Sequence, residues 1–408
     1  MARLTIIEPR SSGCLLIDRA RELGHEPIVL TAGRGDRTVP PERLASASRV
    51  EIVDTNDVPA VLEVVRRLHD DAPLSAVLPG FEHYVPVAAR AAALLGLPGI
   101  DPDAAMKLHY KHLMREAVAE AALDQPVAVL VTDAAGVRDA VTRVGLPCVV
   151  KPVDQSGSLF VRRADTLAEA VAAFEHIRDP TSSYLDRQSL PMALVEEYIR
   201  GPEFSVEGYV EDDVVHVLCI TEKVLGAEPC FVEVGHIVPA QLPPGQAAQV
   251  KEYVRRVTRA LNIGLGPFHA EVRLSARGPL LMEVAARLPG DQIPYLLSLA
   301  RDIDMYGIML GGYLGEPIRP VVEGPGQVSA GIRYFLRPEM RRYATMTVGQ
   351  PVADDPRIKE ISLLQPPGAW LPDPGSSSGR LGYVVVIGAT RQETAAVLNA
   401  VDAAVSFS

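Results

Sequence analysis

The segment Phe268–Arg287, FHAEVRLSARGPLLMEVAAR, restricts the fold most, because its pattern is that of a β-hairpin. In each half of the segment apolar side chains alternate with other side chains along the chain. The intervening Ala276-Arg277-Gly278 is typical of a three-residue hairpin turn, with glycine where a left-handed residue is needed. We therefore expect two antiparallel strands centred on Arg277.

Two glutamates of this hairpin are predicted to face each other. Counted outward from Arg277, Glu271 lies opposite Glu283. Both are expected on the face away from Leu274 and Met282. Directly opposed side chains have Cβ atoms about 4.5–5.5 Å apart, and like charges there destabilise a sheet unless a cation lies between them. Two carboxylates with phosphate oxygens are usual Mg²⁺ ligands, although the same spacing also fits a solvated face with two unrelated glutamates.

The composition is that of a globular protein of several domains. The 408 residues correspond to about two to four domains, and 48% of them are hydrophobic and 22% charged. The net charge of −11 argues against a general binder of nucleic acid or acidic membranes. The four cysteines form no CxxC pair or metal spacing, which excludes a disulfide scaffold and favours a reducing compartment.

No apolar run approaches the roughly 20 residues that a membrane helix needs, and no signal peptide is recognisable. We therefore expect a cytoplasmic protein with neither a membrane nor a nucleic acid as partner.

The order of predicted elements divides the chain into four parts. Residues 1–100 alternate short apolar runs with helical segments, which favours a parallel αβ sheet. Residues 101–190 open with one predicted helix over 101–124, capped by Asp101. Strands and glycine turns predominate over 191–315. Prolines and glycines at 316–328 mark a linker into the last part, 316–408.

Two elements are expected within the last part. Pro366–Gly379, rich in proline, glycine and serine, is predicted to be a mobile loop. A final helix is predicted over Arg391–Ala404.

Lysine is rare, and one lysine ends a strand beside a polar turn. Of the 40 basic residues, 34 are arginine and six are lysine. Lys151 ends the buried-type run LPCVVKP, and Asp154–Ser158 follows as a turn whose N–H and hydroxyl groups could cover phosphate oxygens. A Walker GxxxxGK[ST] is absent, as is GxGxxG after the first strand. By itself, a lysine in this position is more often a surface residue.

A set of motifs follows in order along the chain. They are Lys111 on a helix, VVKP with Ser-Gly-Ser, VEEYIRGPEFSVEG, FVEVGHIVPAQL, FHAEVRL and LMEVAARLPG. This order resembles the ATP-grasp superfamily, in its carboxylate–amine ligase branch, and is most similar to L-amino-acid (dipeptide) ligases and biotin-carboxylase-like enzymes. The likeness is strongest over residues 100–315. It implies an α/β (α+β) ATP-grasp fold with an N-terminal αβ domain and a C-terminal α+β domain.

The resemblance implies a nucleotide and metal site. It assigns ATP binding to Lys111, Lys151, Ser156, Gly157, Ser158, Glu196, Tyr198, Ile199 and Glu203, and Mg²⁺ binding to Glu271 and Glu283. In that set the Ser-Gly-Ser loop would close over the phosphates. The backbone at Tyr198 and Ile199 would bond the adenine, and Glu203 would bond the ribose.

The resemblance also implies a substrate pocket and two catalytic residues. Arg287, with Lys151, would be catalytic and would steady the transferred phosphate. The pocket would consist of Glu233, His236, Arg287, Gly290 and Asp291. Acidic residues there suit an ammonium group, so an amino acid is an expected substrate. Glu233, His236 and Asp291 all remain candidates for the base that deprotonates the amine.

The implied activity is the ATP-dependent joining of a small carboxylate to an amine through an acyl phosphate, with release of ADP and phosphate. ATP and Mg²⁺ are the implied cofactors and the two small molecules the implied partners, and a homodimer would be compatible with the family. A biotin-carboxylase-like enzyme that activates bicarbonate and a non-catalytic ATP-binding subunit are the alternatives.

Two positions depart from the family pattern. Many ATP-grasp enzymes have Glu-x-Asn at the second metal position, but the third residue here is Ala285, which leaves more of the metal binding to Glu283. The phosphate loop has Phe160 where a glycine is usual. A bulky residue restricts the backbone, so we expect closure of this loop to differ from that in the family.

Overall fold

Three sheets of four or more strands organise the chain, which the computed structural model describes over residues 1–179, 183–318, 328–350 and 352–408. Most of the predicted linker 316–328 lies outside the described residues. Within the described ranges, no helix combines the length and apolar character needed to cross a membrane.

The first sheet is parallel, which confirms the prediction for the N-terminal part. Its elements are β1 (Arg3–Ile7), α1 (Ser12–Glu22), β2 (Glu26–Thr31), α2 (Pro41–Leu44), β3 (Arg49–Ile52), α3 (Val58–Asp71), β4 (Ala76–Pro79) and α4 (Val85–Leu95). The strand order is β3-β2-β1-β4, so β1 and β4 are neighbours although two strands separate them in sequence. The loops that follow β1 and β4 therefore open at the same edge of the sheet.

The predicted single helix over 101–124 is wrong, because it is broken in the middle. Asp101 caps α5 (Pro102–His109) as expected, but Tyr110 is extended and α6 (Lys111–Glu120) begins after it. The backbone N–H of Lys111 donates to the carbonyl of Val153 at 2.9 Å instead of continuing the helix. The break places Lys111 in the first turn of α6, beside the strand that carries Lys151.

The second sheet is antiparallel and carries Lys151 and Glu196. Its part of the chain contains β5 (Ala128–Val131), α7 (Ala134–Val144), β6 (Cys148–Pro152), β7 (Arg162–Ala164), α8 (Leu167–Arg178), the short pair β8 (Ser183–Tyr184) and β9 (Arg187–Gln188), and β10 (Ala193–Glu197). The strand order is β5-β10-β6-β7, with α7 and α8 packed on the sheet. Lys151 on β6 lies opposite Leu194 on β10.

The third sheet has eight antiparallel strands and spans the rest of the chain. Its elements are β11 (Glu203–Glu211), β12 (Val214–Leu225), β13 (Glu233–Val238), α9 (Pro244–Ala260), β14 (Gly266–Ser275), β15 (Gly278–Ala285), α10 (Ile293–Arg301), α11 (Met305–Leu314), β16 (Ser329–Phe335), β17 (Met346–Val348), β18 (Ile358–Leu363), β19 (Gly382–Gly388), α12 (Arg391–Ala404) and β20 (Val405–Phe407). The order is β15-β14-β11-β12-β13-β16-β19-β18, and β17 pairs with β20 separately. Because β13 pairs with β16, strands on both sides of position 316 share one sheet. The predicted last helix is confirmed.

The β14–β15 hairpin pairs Glu271 directly with Glu283, as predicted, but for a different reason. Ser275 pairs with Gly278, so the loop has two residues rather than three. A shift of register beside Glu271 inserts Met282 as an extra residue and restores the predicted pairing. Met282 lines the same cavity as Glu283. The prediction that Met282 lies on the opposite face of the hairpin from Glu283 is therefore wrong.

The first turn of α1 packs against the end of β4, and this contact requires a glycine. A Cβ at Gly13 would lie 1.9 Å from the carbonyl oxygen of Gly80. We predict that Gly13→Ala lowers the free energy of unfolding by about 1–3 kcal/mol, because backbone must move to admit the methyl group.

The matched control is Gly245→Ala in α9, where nothing lies within 4 Å of the added Cβ. This change is expected to be neutral or to stabilise by at most about 1 kcal/mol. Urea unfolding of both variants measures the difference, and equal stabilities would contradict the close approach of α1 to β4.

Candidate active site

Two cavities meet where the three sheets come together. Cavity A, about 120 Å³, is lined by Lys111, Lys151, Glu196, Glu203 and Glu283, among others. Cavity B, about 210 Å³, is lined by residues that include Arg10, Phe81, His236, Gly290 and Asp291. The residues that line both are Ser156, Gly157, Glu233, His269, Glu271 and Arg287. The two cavities therefore join at the strand pair that carries the facing glutamates.

The structure brings the predicted site residues together, with Tyr198 as the exception. Every other one lines cavity A, cavity B or both. The Tyr198 hydroxyl instead donates to Glu228 at 2.5 Å, outside both cavities. The carbonyl of Ile199, expected to lie at the adenine, accepts a hydrogen bond from Arg273 at 2.7 Å. β10 ends at Glu197, before these two residues.

Lys151 and Glu196 form a buried ionic group with Arg115, a residue that the motifs did not indicate. The Lys151 ammonium lies 2.7 Å from Glu196, and Arg115 donates to the same carboxylate at 2.7 Å. Burial and the charge of Arg115 lower the pKa of Lys151. Burial raises the pKa of Glu196, but the two cations outweigh it and bring this pKa to about 2. Two cations and one anion leave a net positive charge beside cavity A, which suits phosphate groups.

Lys111 connects the phosphate-loop segment to the hairpin. Its ammonium donates to the carbonyl of Gln155 at 2.5 Å and to Glu283 at 2.9 Å. Burial raises the pKa of Glu283 to about 7, helped by the charges of Glu82 and Glu271 and opposed by Lys111. An additional cation near Glu283 would favour its charged form.

Lys223, which no sequence motif indicated as a site residue, lies among three acidic residues of the site. Its side chain is only 2% exposed, and its ammonium is 2.7 Å from Glu203, 2.8 Å from Glu271 and 3.4 Å from Glu233. Burial alone would lower the pKa of Lys223, but the carboxylates hold it well above its usual value. Lys223 therefore joins the predicted ribose, metal and substrate residues in one charged network.

His269 is a second cationic group that contacts the same hairpin. Its ring nitrogens lie 3.0 Å from Glu207 and 3.3 Å from Glu271. Burial opposes the charged imidazolium, but the two carboxylates raise the pKa of His269 to about 9. Glu271 is thus held between two cationic groups.

Glu271 and Glu283 fit a Mg²⁺ ion that is held together with a polyphosphate. They form a directly opposed pair of carboxylates, and oxygen donors are what this hard cation requires. Across the part of the chain that the structure describes, no group of three or more histidine, cysteine or acidic side chains could hold a metal. Ala285, opposite His269, adds no donor. The remaining ligands would have to come from phosphate and water.

Arg287 is oriented by Glu82, which comes from the loop after β4. Arg287 donates to Glu82 through Nη2 and, at 3.2 Å, through Nε. Burial raises the pKa of Glu82, but the charges of Arg287 and Lys111 outweigh it and hold this pKa well below the usual range. The pair fixes the guanidinium at the junction of the two cavities. No motif pointed to Glu82, because its partner lies 205 residues away in sequence.

Arg380 neutralises the acidic residues of the predicted substrate pocket. It lies next to the predicted loop Pro366–Gly379 and donates to Asp291 at 2.6 and 2.9 Å and to Glu233 at 3.1 Å. Its guanidinium packs 4.0 Å from the centre of the Tyr334 ring. A substrate ammonium at this place would have to compete with Arg380, contrary to the simple expectation from two acidic residues.

His236 has one occupied and one unoccupied ring nitrogen. Nε2 lies 2.9 Å from Asp291, whereas Nδ1 is buried and has no hydrogen-bond partner within the described ranges. In the neutral tautomer that donates Nε2–H to this carboxylate, Nδ1 carries a lone pair. His236 also lines cavity B, which keeps it among the candidates for the base.

Phe160 has a left-handed backbone conformation, which the glycine that is usual at this position in the family would adopt more easily. Its φ is +61°, in the left-handed region that costs a bulky residue energy. The ring packs edge-on against His176 with centroids 4.9 Å apart. Ser158 of the same loop donates to the carbonyl of Phe231 at 2.8 Å. The loop is therefore anchored at Ser158, which lines cavity A, and at Phe160.

Comparison with known proteins connects this site to a family. The profile of the ATP-grasp N-terminal domain matches residues 17–99, that of the ATP-grasp domain 144–294, and that of the L-amino acid ligase C-terminal domain 2 matches 335–408. The uncharacterized protein y4rH of Sinorhizobium fredii is 27% identical over 97% of this chain and 80% of its own length. Alanine–anticapsin ligase of Bacillus subtilis is 25% identical over 61% of this chain, and the match spans 56% of that ligase.

A solved structure confirms the fold over the whole chain. The L-amino acid ligase from Bacillus licheniformis superposes with a TM-score of 0.85 and 23% identity, covering 100% of this chain and 98% of that one. The three matched domains occur here in one chain and frame the two cavities. The chain therefore contains an ATP-grasp N-terminal domain, an ATP-grasp domain and an L-amino acid ligase C-terminal domain 2, and its fold is that of an L-amino acid ligase.

Proposed function

We propose that this protein activates a carboxylate with ATP as an acyl phosphate and couples it to an amine, with an amino acid as a substrate. The observation that carries the proposal is the junction of cavities A and B, lined on both sides by Glu271 and Arg287. A nucleotide in cavity A would place its terminal phosphate next to a carboxylate in cavity B.

In the first step a carboxylate oxygen attacks the γ-phosphorus of ATP. The bond between that phosphorus and the bridging oxygen of ADP breaks, and ADP and an acyl phosphate result. Lys111 and Lys151 supply positive charge around the phosphates, and Arg287, held by Glu82, stabilises charge that develops on the transferred group. When bound by Glu271 and Glu283, Mg²⁺ would neutralise charge on the phosphates.

In the second step the amine nitrogen attacks the acyl carbon. The new C–N bond forms, the C–O bond to phosphate breaks, and the amine loses a proton. We assign the base to His236, whose ring contacts Asp291 and lines cavity B. Asp291 and Glu233 are poorer candidates, because Arg380 already binds both carboxylates. This choice narrows the three candidates that the sequence left open.

The names of the relatives support amino acids as substrates. The matched ligases are described as acting on alanine with anticapsin and on L-amino acids. Cavity B is also lined by both charged and apolar side chains, which suits a small zwitterionic molecule better than a bare amine.

ADP release tests the function. The protein is incubated with MgATP and pairs of L-amino acids, and products are identified by mass spectrometry; hydroxylamine is added in parallel, since it traps acyl phosphates as hydroxamates. We expect amino-acid-dependent ADP release, a hydroxamate and an amide product. Turnover that requires bicarbonate would support the carboxylase alternative, and ATP binding without turnover would support a non-catalytic subunit.

We predict that Glu283→Gln lowers ADP release at least about 100-fold, because the neutral amide removes one of two carboxylates that would bind Mg²⁺. The loss should be reduced at high Mg²⁺ concentration. Glu120→Gln, at the exposed end of α6, is the control and should behave like wild type. Near-normal ADP release by Glu283→Gln would show that the metal assignment is wrong.

We predict that His236→Gln slows amide formation by about 10²- to 10⁴-fold but leaves hydroxamate formation largely intact. Hydroxylamine is already unprotonated at neutral pH and needs no base, whereas an amino acid must lose a proton. Rates of both products with the same donor measure the separation. A parallel loss of hydroxamate and amide would contradict the assignment of His236 as the base.

A further inference from the structure

Arg10 differs from the other cationic residues that line the two cavities. Each of the others has a carboxylate within ion-pair distance: Lys111 has Glu283, Lys151 has Glu196, His269 has Glu207 and Glu271, Arg273 has Glu203, and Arg287 has Glu82. Arg10 lines cavity B, and no carboxylate among the described residues pairs with it. Cavity B therefore contains one partly buried guanidinium that has no carboxylate partner among the described residues.

Arg10 lies at the point of the parallel sheet where ligands usually bind. Arg10 follows β1, and Gly80 follows β4. The backbone N–H of Arg10 donates to the backbone carbonyl of Gly80 at 3.1 Å. The chain runs from β1 outward to β3 on one side and then crosses to β4 on the other. The carboxyl ends of strands at such a reversal form a crevice that binds small molecules in open αβ sheets. The same β4 loop carries Glu82, which orients Arg287.

The surroundings of Arg10 suit a carboxylate. Its guanidinium lies 6.0 Å from the centre of the Phe81 ring, which also lines cavity B. Burial raises the pKa of the Tyr184 hydroxyl, and the neighbouring Arg10 opposes that rise. Ser11 also lines the cavity, at the start of α1, whose N-terminus has no side-chain cap. The positive end of this helix adds to the guanidinium in attracting an anion.

We infer that Arg10 binds the α-carboxylate of the amine-bearing substrate when that substrate is an amino acid. The inference rests on the proposed ligase function. The donor's carboxylate is consumed when it is phosphorylated beside Arg287, so it does not need a second cation. The acceptor keeps its carboxylate, and an uncompensated guanidinium in the same cavity as His236 and Arg287 can hold it while the amine reaches the acyl carbon.

The test compares two acceptors that differ only in this carboxylate. With one donor, KM is measured for the best amino-acid acceptor of wild type and for the carboxamide of the same amino acid, in wild type, Arg10→Met and Arg10→Lys. Arg10→Met should raise KM for the amino acid about 10- to 100-fold, the value expected for a lost charged hydrogen bond, and leave KM for the carboxamide unchanged. Arg10→Lys, which keeps the charge, should recover part of the affinity.

Two measurements keep the result decisive. Hydroxamate formation from the donor should be equal in all variants, which shows that they are folded and activate the carboxylate. Arg21→Met, at an exposed arginine on α1, is the matched control. Equal KM changes for acid and carboxamide, or a wild type that prefers amines without a carboxylate, would overturn the inference while the ligase function stands. Absence of hydroxamate in wild type would instead overturn the proposed function and this inference with it.

Discussion

The facing carboxylates of Glu271 and Glu283 are the constraint around which the site is arranged. Like charges directly opposite each other on neighbouring strands destabilise a sheet. In this protein Lys223 approaches Glu271 to 2.8 Å, and Lys111 approaches Glu283 to 2.9 Å. The two ammonium groups come from β12 and from α6, which belong to different parts of the fold. The pair is therefore stable only where these parts meet, which is also where the two cavities join.

Charge compensation extends from this pair to almost every ionised group of the site. A buried charge without a partner is strongly destabilising, so the matching of carboxylates with cations is a condition for folding as well as for chemistry. Arg287 with Glu82 and Arg380 with Asp291 follow this rule across domains. Arg10 is only partly buried and has no carboxylate partner among the described residues, and we propose that a charged ligand supplies one.

Local patterns predicted the parts of the fold that short-range physics decides. The alternation around position 271 specified a hairpin, and the cap of the last helix specified Arg391–Ala404. The predicted pairing of the two glutamates was right although the predicted turn was not. The loop is one residue shorter than predicted, and the extra residue Met282 in the bulge compensates for that difference. The prediction of one helix over 101–124 was wrong, because the backbone N–H of Lys111 donates to the carbonyl of the distant Val153 and not to a carbonyl within the helix.

The sequence by itself determined which residues could carry the chemistry: the motif order, the two glutamates, the two lysines and the arginine after them. Only the tertiary structure decided their partners. Glu82 and Arg380 reach the site from loops far away in sequence, and Lys223 became central only when β11, β13 and β14 surrounded it. The physical reason is that periodicity and capping act over a few residues, whereas compensating a buried charge depends on distance in space.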